Sequence, residues 1–382
     1  MPAATHYDYA VIGAGMAGAS VAYRLALAGA SVVVLEQESQ PGYHATGRSA
    51  AMFMETYGTP HTRALTRASR EFFMNPPAGF SEHPILTPRS VLYIAQEGQE
   101  SLLESAYQAY VNEGLEVSRL GAEQALDLVP CLAPDTLVGA ILDSIASDMD
   151  VHGLHQGFLR GMREHGVELL LNSRLEGAQR ASGLWTLHTS TQHTVQAGHI
   201  VNAAGAWADA VAERCGVAPL GIEPRRRSAF LFPPPEGMDI GQWPTVLAVD
   251  ESFYFKPDAG MLLGSPANAD PVQPHDVAPE ELDIATGIYR IEQATTLHIR
   301  RPSHVWAGLR SFAPDDEFVI GWEPESEAFF WLAGQGGYGI QTAAGASELA
   351  ATLLHGLPMP QSLLQHGVSA ATVDPARFRT AT

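Results

Sequence analysis

The chain has 382 residues, with 22 Lys+Arg against 42 Asp+Glu and a formal net charge of −20. That length predicts two or three domains, or one large doubly wound unit with an insertion, and leaves room for a sizeable core and a cleft. The acidic balance argues against nucleic acid and anionic lipid as partners, because like charges repel; 46% hydrophobic and 17% charged residues describe a folded chain. Lys256 is the only lysine, so every other fixed cationic side chain is an arginine.

The N-terminal residues lack a basic stretch followed by an apolar one, so no signal peptide is read and a cytoplasmic location is expected. From Tyr9 to Leu35 the only charge is Arg24. Glycines and the β-branched run Val32-Val33-Val34 break this stretch into strand, turn, helix and strand, so integral membrane association is not expected. Tyr9 to Ile12 forms the first strand, Ala19 to Ala28 the helix, and Ser31 to Leu35 the second strand, which ends at Glu36. Between them lies Gly13-Ala14-Gly15-Met16-Ala17-Gly18. Gly13 permits the tight turn, Gly15 lets a pyrophosphate approach the backbone, and Gly18 lets helix and strand touch; Glu36 is placed to accept the hydroxyls of an adenosine ribose. This unit predicts a bound dinucleotide. The acid disfavours NADP, while FAD and NAD both remain open on the motif alone.

A loop from Gln40 to Ser49 follows, then a helix from Pro60 to Phe73 and a Pro-rich hand-over, Asn75 to Gly79. Val91 to Ile94 and the amphipathic Gln99 to Glu113 belong to a second region containing Cys131. With Cys215 as the only other thiol, neither a disulfide framework nor a CxxC pair is available, which fits a reducing compartment. From Val151 the α/β rhythm returns with a helix from Leu154 to His165, a strand from Val167 to Leu171 and the run His199 to Gly205. His152 and His155 sit one helical turn apart without a third ligand, so no metal is expected. Residues 221 to 304 read as antiparallel strands such as Arg225 to Phe232 and Phe253 to Phe255. The chain closes with the strand Phe329 to Leu332, a glycine loop and a helix from Ile340 to Leu354. That loop also matches GxGxxG, at Gly334, Gly336 and Gly339, but Leu357-Pro358 stands where a second site would need a strand ending in an acid.

The runs Val11 to Gly18, Val201-Asn202-Ala203-Ala204-Gly205-Ala206-Trp207 and Gly334 to Thr342 resemble the D-amino-acid oxidase superfamily of flavoproteins, which includes glycine oxidases, sarcosine oxidases and D-amino-acid dehydrogenases. Within it the chain is most similar to the bacterial D-arginine dehydrogenases. The resemblance implies an α/β fold with a glutathione-reductase-type FAD-binding domain of the βαβ Rossmann-like kind and a second, antiparallel-sheet substrate domain, both discontinuous. The expected FAD-binding domain comprises 1–85, 149–220 and 303–382, and the substrate domain 86–148 and 221–302. The resemblance also implies FAD held by Gly13, Ala14, Gly15, Gly18, Glu36, Gln37, Arg48, Ser49, Ala50, Ala204, Gly205, Trp207, Gly336, Gly337, Tyr338, Gly339 and Ile340. No cysteine follows Cys215, so a thiol tether in the C-terminal part is unavailable and the FAD is expected to be noncovalent.

Arginines in apolar company are rarely unpaired; Arg227 and Arg310 therefore answer either to a protein carboxylate or to a substrate carboxylate gripped bidentately. The resemblance implies the latter, with Tyr254 on the same carboxylate and Tyr57, Gly337 and Gln341 near the amino group. The implied reaction removes a hydride from Cα of a D-amino acid and ends in a 2-keto acid and ammonia, with a quinone or O2 as electron acceptor. No carboxylate base is evident. Two departures from the arginine-oxidising pattern stand out: Val91 follows Pro88-Arg89-Ser90 where an acid is expected, and Met52, near Met54, replaces a histidine. Both predict an apolar or broad substrate pocket. Oxidation of a 2-hydroxy acid or a secondary amine, and a non-catalytic FAD-binding module, remain as alternatives.

Overall fold

The computed structural model describes residues 6–379. His6–Ile12 is the centre of the first sheet, flanked in parallel by Thr194–Asn202 and Val32–Leu35. Its inner residues, Ala10 and Val11, are fully buried on opposite faces of that sheet, which matches a strand covered on both sides. Phe329–Ala333 adds in parallel to Thr194–Asn202, with the antiparallel strand Val319–Trp322 beside it. The helix Met16–Leu27 packs on one face between the helices Val151–Glu164 and Ala343–Leu354. The first helix thus starts three residues before the expected position, on the turn itself. The last starts three residues after it, at Ala343, so 334–342 is a longer loop than the sequence suggests.

The second sheet runs in the order Asp270–Pro271, Glu223–Phe232, Met261–Ser265, Tyr254–Asp258, Thr245–Ala248, Val91–Gln96, Leu137–Asp143, Val117–Leu120, and His304–Phe312 also pairs with Glu223–Phe232. It is antiparallel except where Thr245–Ala248 meets Val91–Gln96. Two features differ from expectation. The strand His304–Phe312, assigned by the sequence to the dinucleotide segment 303–382, is a member of this second sheet. A helix, Glu281–Ala294, lies inside the stretch read as strands only; Gly287 weakens its intrinsic signal, but Asp283, Gly287, Ile291 and Ala294 recur at helical spacing and face the protein. A small third sheet, Met52–Phe53 with Ser147–Met149 and Leu86–Pro88, lies against the cavity described below. Among the described residues no helix is long and apolar enough to cross a membrane.

Candidate active site

The glycine turn is forced by its surroundings. Gly13 has φ +101°, and a Cβ there would stand 2.7 Å from the Ala203 carbonyl; at Gly18 it would stand 1.8 Å from the Gly13 carbonyl. Helix Met16–Leu27 begins at Gly15 without a side-chain cap from that residue, and the Met16 N–H donates to Thr46 Oγ1 at 3.0 Å. Gly15, Met16 and Ala17, at its positive end, line a cavity, a position that favours an anion. At one end of this cavity Glu36 accepts from the Ala14 and Glu38 N–H groups at 2.7 and 3.0 Å. Burial nevertheless holds its carboxyl above the usual carboxylate range.

Gly13, Gly15, Glu36, Gln37, Arg48, Ser49, Ala50, Ala204, Gly205, Trp207, Gly336, Gly337, Gly339 and Ile340 all line that cavity. Three expected contacts do not. Ala14 is spent on Glu36, Gly18 is sealed beneath Gly13, and the Tyr338 ring turns towards Tyr57, with centroids 4.8 Å apart. Arg48 lines the wall, but its guanidinium is committed to Asp276 and to the carbonyls of Val277 and Ala307. Of the His152–His155 pair, His155 is turned inwards, with Nε2 3.0 Å from the Ala14 carbonyl. Cys131 and Cys215 are buried, and burial pushes both thiols up to about 12, so neither is a reactive nucleophile.

A second cavity adjoins the first, and Arg227, Arg310, Tyr254 and Gly337 border both. On the strand Glu223–Phe232 side chains alternate between faces. Arg226 points away from the cavity into a carboxylate cluster, bonding Asp283 at 2.7 Å and Glu280 at 2.5 Å. Arg225 is held by Glu223 and Asp316. Arg227 has no carboxylate partner among the described residues; its Nε donates to the Asn268 carbonyl at 2.6 Å. Arg310 likewise has none, and its Nη1 donates to the Tyr57 hydroxyl at 3.1 Å. Burial, then the neighbouring Arg310, pushes Arg227 down to about 10, which leaves it charged at neutral pH. Two like charges face one cavity whose wall holds a single carboxylate among the described residues, the exposed Glu251, an arrangement suited to an anion.

Met52, Met54, Leu247 and Phe253 give this cavity apolar wall. Gln341 lines it too, yet its Oε1 accepts from the Met54 N–H at 3.2 Å and its Nε2 donates to Thr66 Oγ1 at 3.0 Å, so the amide braces the wall. Val91 does not line it. Its strand is one place further along the sheet, next to Thr245–Ala248, and its side chain is buried with Met52 and Met54. The residue that would decide cation recognition from that position is thus sealed from the cavity. Thr245, Glu251 and Lys256 do line it, and none was singled out as a site residue from sequence. Lys256 carried a readable signal, standing two places after Tyr254 on an alternating strand.

The family described as FAD dependent oxidoreductase, DAO, matches residues 8–353. The chain belongs to this family. Its cofactor is FAD, and the helix end at Gly15, the pinned glycine turn and Glu36, all in the wall of the first cavity, suit its nucleotide part. This DAO-family chain is 23% identical to FAD-dependent oxidoreductase domain-containing protein 1 of Bos taurus, over 91% of this chain and 81% of that one. It is 25% identical to mitochondrial sarcosine dehydrogenase of Homo sapiens over 91% of its length, spanning 40% of that relative. Its fold is that of glycine oxidase from Geobacillus kaustophilus, with a TM-score of 0.81 at 22% identity, covering 96% of this chain and 99% of that one. The FAD-bound L-alpha-glycerophosphate oxidase from Mycoplasma pneumoniae has a TM-score of 0.83 at 18% identity, covering 92% and 95%.

Proposed function

We propose that this FAD-dependent oxidoreductase converts D-amino acids to 2-keto acids and ammonia, accepting apolar or varied side chains rather than D-arginine. The observation that carries this reading is the pair Arg227 and Arg310, open to the cavity and without protein carboxylates among the described residues. Together they grip the substrate carboxylate. Tyr254 adds a hydroxyl from a strand two places across the sheet from that of Arg227, and Tyr57, fixed by Arg310, closes the side nearest the amine.

Such anchoring turns Cα–H towards the first cavity and removes most of the entropy cost of alignment. FAD, when bound, supplies the acceptor for the hydride and passes the electron pair to a quinone or O2. The amine loses a proton as the C=N bond forms, and two adjacent guanidinium groups lower its pKa so that solvent takes that proton. Water then hydrolyses the imino acid. The FAD is held without a covalent tether in this reading, consistent with the burial of both thiols.

Resistance to D-arginine follows from charge: the cavity carries Arg227, Arg310 and Lys256 against Glu251. A secondary amine such as an N-methyl amino acid is the second reading, favoured by the likeness to sarcosine dehydrogenase. Anaerobic mixing decides between them. D-leucine or D-methionine should bleach the flavin absorbance while sarcosine, lactate and L-leucine leave it unchanged. Bleaching by sarcosine alone would select the second reading, and bleaching by none of a broad amino-acid panel would leave only an FAD-binding module.

A further inference from the structure

The far wall of the second cavity is not apolar. Lys256 and Tyr254 leave the same face of the strand Tyr254–Asp258, two residues or about 6.7 Å apart, so the lysine lies one step deeper along the sheet than the tyrosine. Its side chain is only 7% exposed. An ammonium has three donors and no acceptor. One goes to Asp148 Oδ1 at 2.5 Å, and the next nearest partner is the Met52 thioether, 3.7 Å away. The hydroxyl of Thr245, a residue 2% exposed and in the same wall, also donates only to that sulfur, at 3.4 Å. Sulfur is a weak acceptor, whereas buried polar groups in folded proteins are nearly always well satisfied.

The charges point the same way. Asp148 is shared between Lys256 and Arg89, so this group of three carries one net positive charge. Arg89 spends its Nη1 on the Trp243 and Gly241 carbonyls, which leaves Lys256 as the cation lining the cavity. Glu251 is the single carboxylate in the cavity wall among the described residues, and it is exposed, at the rim. A protein with a net charge of −20 has therefore built a cavity with three cations and one peripheral acid.

We propose that Lys256 and Thr245 form a distal subsite for a side-chain oxygen acceptor, above all a carboxylate, and that the preferred substrates are acidic amino acids of about the length of glutamate. The α-carboxylate lies on Arg227 and Arg310, the methylenes lie along Met52, Met54 and Leu247, and the second carboxylate replaces the thioether as partner to Lys256 and Thr245. This rests on the amino-acid reading of the cavity and narrows it.

Ligand binding tests the subsite without requiring turnover. With the FAD-loaded wild-type protein, glutarate and valerate are titrated against the flavin spectrum; glutarate should bind at least about tenfold more tightly, the worth of one hydrogen bond to a charged group. Equal or weaker binding of glutarate overturns the subsite even if D-leucine is oxidised. Failure of every amino acid to bleach the flavin, with glutarate still preferred, refutes the catalytic reading and leaves the subsite standing. In Lys256→Met the ratio of kcat/KM for D-glutamate to that for D-methionine should fall about 100-fold, and Lys256→Arg should restore part of it. A ratio that does not move assigns Lys256 a purely structural role.

Discussion

Arg226 and Arg227 are adjacent in the chain yet serve opposite ends of the protein's chemistry. The first is neutralised by Asp283 and Glu280 outside the cavity, and the second faces the cavity without an ion pair among the described residues. Alternation along one strand accounts for the division. Arg226→Ala strands the nearly buried Asp283 without its partner and should cost about 3 kcal/mol of stability in chemical denaturation. Arg227→Ala should leave stability and FAD content near wild type while kcat/KM falls about 100-fold or more. The reverse pattern would show that the roles are exchanged.

Gly337 touches the other cation. A Cβ at this position would stand 2.8 Å from Arg310 Nη1 and 3.1 Å from its Cζ. Gly337→Ala should therefore push the guanidinium off the Tyr57 hydroxyl and lower kcat/KM by about tenfold or more through misplacement. FAD should still be retained through the cradle at Gly13, Gly15 and Glu36, which this change leaves untouched although Gly337 also borders the cofactor cavity. Steady-state kinetics beside the visible flavin spectrum checks both statements.

Val91→Glu provides a sharp contrast between sequence position and spatial position. The side chain is fully buried with Met52, Met54 and Tyr93. A carboxylate there gains no route to a substrate guanidinium, because the position does not line the cavity and its neighbours Met52 and Met54 are apolar. The expected outcome is a lower melting temperature, by an amount typical of an unpaired buried charge, with no gain in D-arginine oxidation. A measurable rise in D-arginine turnover would mean that the wall formed by the two methionines opens.

Acid stability should depend on Asp283. Burial acts to raise its carboxyl pKa, but hydrogen bonds from Arg226 and Ser228 outweigh it and hold the group below the usual aspartate value. A group with a lowered folded pKa binds its proton more readily in the unfolded chain. Its stabilisation is thus present above the ordinary aspartate pKa of about 3.9 and is lost as pH falls through the folded value. Asp283→Asn should reduce stability at neutral pH and flatten the decline below about pH 4. Denaturation midpoints measured across that range report the slope directly.

The cofactor end of the site was largely legible because its information is local. Gly13, Gly15, Gly18 and Glu36 fall within one βαβ unit, and each spacing has its own physical reason. The substrate end depends on which strands become neighbours. Nothing in Pro88 to Val91 announces that this strand will pair in parallel with Thr245–Ala248 and so lie one place too far from Lys256. Likewise Arg225 and Arg227 share a parity that Arg226 does not, and only the helix Glu281–Ala294, with Asp283 against Arg226, shows which face of their strand is closed. The helix expected at Ile340 begins at Ala343 because the intervening residues are used as turns around Gly336 and Gly337.

The order of the strands also governs how the protein is born. Phe329–Ala333, which completes the parallel core against Thr194–Asn202, emerges from the ribosome after every strand of the second sheet. The nascent nucleotide half consequently waits with an open sheet flank while the other half is synthesised. The first cavity is therefore complete only once this last strand and the loop after it have been made, because Leu332, Ala333 and Gly334 to Gly337 form part of its wall.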